Sequence, residues 1–373
     1  MQAVVLAGGR GTRLHPLTTD TPKPMAPLFN RPVMERLVEL LAKHEVTDIV
    51  VTLSYLARDI IGHFGDGKKF GVNIRYSIED APKGTAGGVK ELQPVLSDTF
   101  LVVSGDAVTD FDLTQAIEYH RSKSAIATLL LHEADDPTEY GVVSTAADGR
   151  VIRFFEKPKE HEVFSKTVNT GIYILEPDVL SSIPYDTPYD FSRELFPRLL
   201  RNMEPVYGLN MPGYWCDIGN FVQYRNAHFD ALTGKVSLNI PGTEIDEGVW
   251  VGEDCEVHSS ARLSAPIFLG DGAEVRRNVR VGALSVVGDD ALVDEGATIR
   301  RSIVGNGAFI GRASRVTDCV IGSGYRLSDH GDVHNRVVTN AGERLMQVLW
   351  EDENVPSIRL TGTSPAEAPP LAA

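Results

Sequence analysis

Residues 6–14 read Leu6-Ala7-Gly8-Gly9-Arg10-Gly11-Thr12-Arg13-Leu14, directly after a short apolar run. Three glycines in four positions let backbone N–H groups approach phosphate oxygens with no Cβ in the way. The segment is not a dinucleotide fingerprint, because Leu14 stands where the third glycine of GxGxxG would, and no Gly-Lys-Ser/Thr closes it as a P-loop. Arg13 can add a planar fork of permanent charge. Lys23 adds a point charge between Pro22 and Pro24, which fix the backbone on either side. Glycines and cations together are the chemistry of phosphate binding; a glycine-rich turn alone would be an ordinary surface turn.

Two aspartates are candidate ligands for a hard cation. Asp106 follows the apolar run Phe100–Ser104 and Gly105, at the strand edge where α/β sheets bind ligands. Asp217 lies in the aromatic, glycine-bounded run Tyr214-Trp215-Cys216-Asp217-Ile218-Gly219. The bland reading, a helix cap, suits Asp110 and Asp112 better, since a helix starts near Leu113. Glu156-Lys157-Pro158 ends a β run; by itself it would be a surface ion pair of about 0–1 kcal/mol.

These residues need a scaffold. Up to about residue 230, short apolar runs alternate with amphipathic stretches. Residues 3–7, 48–52, 72–78, 99–105 and 125–131 read as strands, rich in β-branched residues and bounded by turn formers. Between several of them lie the helical patterns Met34–Lys43, Leu56–Phe64, Ala86–Glu91 and Leu113–His120. Such alternation predicts a Rossmann-like α/β domain with a mostly parallel sheet covered on both faces. Residues 139–158 read as a hairpin around Asp148-Gly149, and 168–175 as a further strand.

After residue 245 the period changes. Val251, Val257, Leu263, Leu269, Val275, Val281, Val287, Val293 and Ile299 stand six residues apart. After a one-residue slip come Val304, Ile310 and Val316, and after another Ile321, Leu327 and Val333. Gly252, Gly270 and Gly288 mark a longer period of eighteen. An apolar residue every six positions predicts a hexapeptide-repeat parallel β-helix of about five coils. The division is then 1–232 for the α/β domain, 233–245 for a linker, 246–340 for the β-helix, and 341–373 for a short helix and a disordered tail.

The chain carries 36 basic against 51 acidic residues, a net charge of −15. A body this acidic repels nucleic acid and anionic membrane, and neither is an expected partner. An anionic substrate requires local positive charge or metal ions, and residues 1–30 gather Arg10, Arg13 and Lys23 against Asp20 alone. No stretch approaches the length of a membrane span, and no signal-peptide pattern opens the chain, so a cytoplasmic location is expected. Three well-separated cysteines show no CxxC pair and suggest neither a disulfide framework nor a zinc site.

GGRGTRLHPLTTDTPKPM resembles the signature of the sugar-1-phosphate nucleotidyltransferases, or NDP-sugar pyrophosphorylases. PKGTAGG, SGD, EYGVV, FFEKP, NTGIYIL and YWCDIG follow in the family's order, and the likeness runs from residue 1 to about 345. It is nearest to mannose-1-phosphate guanylyltransferases that carry a C-terminal left-handed β-helix. The resemblance implies attack of a sugar-1-phosphate oxygen on the α-phosphorus of a nucleoside triphosphate, with loss of pyrophosphate. It implies Mg²⁺ on Asp106 and Asp217, and Arg13 and Lys23 on the triphosphate and departing pyrophosphate. Lys157 would hold the sugar phosphate, and Glu156, Asn169, Thr170 and the backbone of Gly141 the sugar, although Thr170 also reads as a plain strand residue. Leu6, Ala7, Gly8, Gly9, Gly11, Thr12, Glu79, Gly84 and Thr85 would surround the nucleotide.

Base choice turns on Glu79, five positions before Gly84. Uridylyl and thymidylyl relatives usually carry glutamine there, whose amide matches a pyrimidine ring. An ionised carboxylate only accepts, which suits the N1–H and N2–H of guanine. GTP is therefore the expected nucleotide; no residue fixes the sugar, and mannose-1-phosphate is what the resemblance implies. The alternatives are a glucose-1-phosphate uridylyl-, thymidylyl- or adenylyltransferase, or a non-catalytic NDP-sugar sensor. Lys83 departs from the leucine common in relatives. His258, His330 and His334 in the repeat raise acyl transfer as a second activity, but assembly into a homo-oligomer is the expected role of the coil.

Overall fold

In the computed structural model, which describes residues 1–345, the chain forms two compact units. One comprises Met1–Gly11, Asp20–Ala26 and Arg31–Asp217; the other comprises Thr12–Thr19, Pro27–Asn30 and the chain from Ile218.

Nine strands build one mixed sheet in the first unit: β1 (Gln2–Leu6), β2 (Asp48–Leu53), β3 (Asn73–Ile78), β4 (Phe100–Ser104), β5 (Ala127–Glu133), β6 (Gly141–Thr145), β7 (Val151–Glu156), β8 (Thr167–Leu175) and β9 (Val206–Asn210). The main path runs β7-β6-β8-β4-β1-β2-β3, with β5 on β8 and β9 on β5. Strands β4, β1, β2 and β3 are mutually parallel, as the strand–helix alternation predicts. The other half is largely antiparallel: β8 runs against β4, β5 and β6, and β6–β7 is the hairpin expected at Asp148-Gly149. Both faces are covered. Ala3, Val5, Ile49, Val51, Leu101 and Val103 pack into one core, while Val4, Val50 and Val102 pack into the other, the period-two signature of a sheet buried on both sides. Helices α1 (Val33–Lys43), α2 (Ala57–Phe64), α3 (Gly84–Glu91) and α4 (Leu113–Lys123) fall where the sequence places them, within a few residues. Asp112 caps α4, its carboxylate accepting from the Gln115 N–H at 3.1 Å.

Asp110 does not share that role. Its carboxylate accepts from the Tyr214 N–H at 2.6 Å, and the Thr109 hydroxyl donates to Tyr214 O at 2.8 Å. These bonds hold a two-stranded antiparallel ladder, Ala107–Thr109 against Trp215–Asp217, in which Asp217 faces Ala107.

The second unit is a three-sided parallel coil. Val257 pairs with Val275, Leu263 with Val281 and Val251 with Leu269, each eighteen residues on, and the pattern repeats to Val333 and Val338. The two slips in the sequence shorten later coils to seventeen, so that Val287 meets Val304, Ile299 meets Val316 and Val304 meets Ile321. The predicted inward positions from Leu269 to Leu327 are buried. The periodic glycines have a steric cause: a Cβ on Gly288 would lie 2.6 Å from Asn306 N and 2.7 Å from Gly305 C in the next coil. Helix Phe221–Leu232, which the sequence division leaves in the first domain, groups with this unit. There Tyr224 donates to Pro27 O at 2.6 Å, and Phe29 lies edge-on to both His228 and Phe268.

Two expectations change at the ends of the coil. Thr243–Asp246, in part assigned to the linker, is a strand antiparallel to Val249–Val251. Gly342–Leu345, assigned to a short helix, is a strand antiparallel to Arg336–Thr339. The backbone groups at the end of a coil need partners, and a chain that turns back supplies them, overriding local helix propensity. The rest of the expected helix and the tail lie outside the described residues. Among the described residues, no helix is long and apolar enough to cross a membrane.

Candidate active site

The C-terminal edge of the parallel strands gathers the candidate residues of the first unit. β1 ends at Leu6, in register with Thr52 of β2 and Ser104 of β4, so the segments that follow these strands emerge side by side. Ala7 N–H donates to Thr52 O at 3.0 Å and Gly105 N–H to Leu6 O at 2.9 Å, which carries the strand alignment into the loops. The Ser54 hydroxyl donates to Gly8 O at 3.0 Å. A Cβ on Gly8 would come no closer than 3.5 Å to Ser54, and one on Gly9 would meet nothing within 4 Å. Gly9 is thus not required by its own described surroundings, which fits a loop kept clear for a ligand. Gly11 has φ 62°, a left-handed conformation that favours glycine.

At the centre lies an ion triad. Lys23 opens a short 3₁₀ turn, Lys23–Met25, between Pro22 and Pro24. Its ammonium pairs with Asp106 and donates to Asp217 Oδ1 at 3.1 Å. Asp106 also accepts from the Ser104 hydroxyl. Asp217 reaches the group because the ladder sets it opposite Ala107, the neighbour of Asp106. Burial alone lowers a lysine pKa, but the two carboxylates outweigh it and hold Lys23 above its ordinary value. Burial likewise opposes ionisation of Asp106, yet Lys23 and Ser104 hold it below the usual carboxylate range. Lys23 and Asp106 therefore favour their charged forms at neutral pH.

The triad also bears on metal binding. Two carboxylates converge on one cation, here an ammonium, and a small hard divalent ion suits the same donors. Among the described residues no three or more His, Cys, Asp or Glu side chains are grouped so as to hold a metal ion, so an ion here would complete its shell with phosphate and water oxygens.

A second constellation collects the residues assigned to the sugar. Glu156 faces Gly141 across the β6–β7 hairpin, and a Cβ on Gly141 would lie 2.7 Å from both Glu156 Oε2 and Phe154 Cζ. Burial, and next the Asp190 carboxylate, hold Glu156 above its ordinary value. Buried Asn169 donates to the Tyr173 hydroxyl at 2.9 Å and accepts from Gly171 N–H at 3.2 Å. Lys157 is exposed, with left-handed φ 48°, just beyond Glu156. Thr170 is tied into the sheet: its buried hydroxyl donates to Leu130 O at 2.7 Å, and its carbonyl accepts from Trp215 Nε1 at 3.0 Å.

Glu79 follows β3, and one of its oxygens accepts from Lys83 N–H at 3.1 Å. Burial dominates in raising its pKa. Lys83 pairs with Glu91 and with Asp186, the latter at 3.0 Å. Arg13 and Thr12 stand on a 3₁₀ turn, Thr12–Leu14, described with the second unit. Of the coil histidines, His258 bonds Ser260, His334 lies beside Asp332 and His330 occupies a left-handed corner. The sequence reading missed Ser104, Asp190 and Ser192; Asp190 carried a faint signal as a cap residue four before Glu194.

Residues 2–234 match the nucleotidyl transferase family, and residues 245–343 match the GMPPB C-terminal domain. The chain is 37% identical over 347 residues to a UTP–glucose-1-phosphate uridylyltransferase of Synechocystis sp., covering 89% of each. It is 35% identical to a mannose-1-phosphate guanylyltransferase of Mycobacterium tuberculosis, over 72% of this chain and 79% of that one. The crystal structure of HddC from Yersinia pseudotuberculosis superposes with a TM-score of 0.54 at 29% identity, covering 61% of this chain and 97% of that one. The chain belongs to the sugar-1-phosphate nucleotidyltransferase family and is an enzyme of that kind.

Proposed function

We propose that the enzyme transfers a guanylyl group from GTP to mannose-1-phosphate, giving GDP-mannose and pyrophosphate. A phosphate oxygen of the sugar ester attacks the α-phosphorus while the bond to the β-phosphate oxygen breaks. The nucleophile is already an anion at neutral pH, so no general base is needed, and the main obstacle is repulsion between polyanions. The observation that carries this reading is the Lys23–Asp106–Asp217 triad beside the glycine loop. Asp106 and Asp217 would hold Mg²⁺, which would supply positive charge to offset the negative charge of the phosphates. Lys23, kept cationic by its partners, would orient and neutralise the triphosphate. The N–H groups of Gly8, Gly9 and Gly11 would meet phosphate oxygens. Glu156 and Asn169 would take sugar hydroxyls, Gly141 the sugar through its backbone, and Lys157 the sugar phosphate.

The guanine assignment rests on Glu79, a carboxylate with one oxygen bound to Lys83 N–H. The relative from Mycobacterium tuberculosis supports mannose. A second reading, uridylyl transfer to glucose-1-phosphate, is favoured by the Synechocystis relative. A matrix of GTP, UTP, dTTP and ATP against mannose-, glucose- and galactose-1-phosphate, read by pyrophosphate release, decides between them. The highest kcat/KM is expected for GTP with mannose-1-phosphate; a maximum for UTP with glucose-1-phosphate establishes the second reading.

A further inference from the structure

One irregular segment of the first unit joins the loop assigned to the base to the residues assigned to the sugar. Tyr189 N–H donates to Lys83 O at 2.8 Å, and Tyr189 O accepts from Ala86 N–H at 2.9 Å and Gly87 N–H at 3.0 Å. The approach is close enough to dictate a residue type: Gly84 has φ 73°, and a Cβ there would lie 2.6 Å from Tyr189 O. The Thr85 hydroxyl donates to Asp190 Oδ2 at 2.8 Å and accepts from Phe191 N–H at 3.0 Å. The other oxygen, Asp190 Oδ1, accepts from Ser192 N–H at 2.9 Å and Arg193 N–H at 3.1 Å. Asp190 N–H in turn donates to Glu194 Oε2 at 2.7 Å. Both carboxylate oxygens of Asp190 are thus engaged, one on each side.

The far side of the segment reaches the sugar residues. Asn169 Nδ2 donates to Ser192 Oγ at 3.4 Å, and the Ser192 side chain eases the ionisation of both Glu156 and Tyr173. Phe191, between them, is buried against the rings of Tyr173 and Phe196, with centroids 5.1 and 5.8 Å away. Residues 191–195 form a single π-helical turn, a local irregularity of the kind often found at functional sites. The segment is anchored in the core and bonded at both ends, so ordering of one end restricts the other.

We infer that Tyr189–Ser192 is a positioning element that couples nucleotide binding at the Glu79–Thr85 loop to hexose-1-phosphate binding at Glu156 and Asn169. The inference rests on the site assignment above, though not on which base or hexose is used. Asp190 is the coupling residue and Ser192 the residue that orients Glu156 and Asn169.

Calorimetry tests this with the nucleotide–sugar pair that turns over fastest, at fixed Mg²⁺. The Kd of the hexose-1-phosphate is measured with and without the α,β-methylene analogue of the nucleoside triphosphate. In the native enzyme the analogue is expected to tighten hexose-1-phosphate binding about fivefold or more. In Asp190→Ala that ratio falls below about twofold, while the Kd of the analogue alone changes by less than about threefold. Ser192→Ala weakens the hexose-1-phosphate about tenfold with or without analogue, the effect of one lost hydrogen bond. A native ratio of one, or a ratio preserved in Asp190→Ala, overturns the inference. Should Asp190→Ala fail to fold, Asp190→Asn decides by the same ratio, since its remaining oxygen can still accept from Ser192 and Arg193. Absence of pyrophosphate release with every pair would overturn the functional reading; turnover with an unchanged ratio overturns the coupling alone.

Discussion

Lys23 donates to Asp217 at 3.1 Å across 194 residues of sequence. The bond closes only because the ladder that sets Asp217 opposite Ala107 brings it alongside Asp106. Two carboxylates at this spacing repel each other, and the ammonium between them makes the arrangement tolerable before substrate or metal arrives.

Lys23→Met is therefore expected to lower kcat by about 10²–10³-fold, the usual cost of removing one preorganised electrostatic group. Arginine should not restore it, since a planar fork cannot replace a point charge between two carboxylates. The same variant changes acid stability. In the native protein Asp106 titrates below its ordinary 3.8, so its contribution is present above that value and is lost as pH falls through the lowered one. Without Lys23, burial raises Asp106 instead, and the contribution reverses sign. Acid unfolding followed by circular dichroism should move to higher pH; an unmoved midpoint would contradict the assigned pairing.

Gly9→Ala separates ligand needs from fold needs. A Cβ there meets nothing within 4 Å, so thermal stability should change by less than about 0.5 kcal/mol. The KM for the nucleoside triphosphate should rise about 10–100-fold, as when one or two bonds to a charged phosphate are lost. Unchanged KM would remove the glycine loop from the site.

Glu79→Gln should shift preference from GTP toward UTP or dTTP, measured as the ratio of kcat/KM values. Burial holds the Glu79 pKa above 4.5, so its acceptor form is lost at higher pH than for an ordinary glutamate. On acidification the KM for GTP should climb as pH drops through that raised value, and the glutamine variant should flatten the rise. An identical profile in both proteins would rule out Glu79 as the reader of the base.

Gly141→Ala forces a methyl to within 2.7 Å of Glu156 Oε2 and Phe154 Cζ. The expected cost is about 1–3 kcal/mol of stability, as for other overpacked sites. The KM for the hexose-1-phosphate should rise while that for the triphosphate stays, because the displaced carboxylate serves the sugar. Steady-state kinetics with each substrate varied in turn would show equal changes if Glu156 served neither.

Patterns that repeat locally were legible. Six-residue spacing located the inward positions of the coil, and even its two slips correspond to the seventeen-residue coils. A strand end pointed to Asp106, because a parallel sheet exposes its ligands there, whereas Glu79 came from the resemblance and its spacing before Gly84. Contacts made across long separations were not legible. Asp110 reads as a helix cap beside Asp112, yet its partner is the Tyr214 N–H, 104 residues away. Thr170 matches a family position, but its hydroxyl bonds Leu130 O. Tyr189–Ser192 shows no periodicity to notice, and its partners in α3 lie about a hundred residues upstream. Ala341 and its neighbours look helical alone, and only the open edge of strand Arg336–Thr339, whose other edge pairs with Val320–Ile321, makes Gly342–Leu345 extended.

The reversed strands at the coil's extremities carry a consequence for growth. A stack of interchangeable layers can in principle accept another layer from a neighbouring molecule and lengthen into a filament. On the eight-stranded side, Thr243–Asp246 and Gly342–Leu345 both run against the common direction, so an incoming layer finds the wrong polarity at either terminus. Along that side, among the described residues, the parallel ladder ends at both edges.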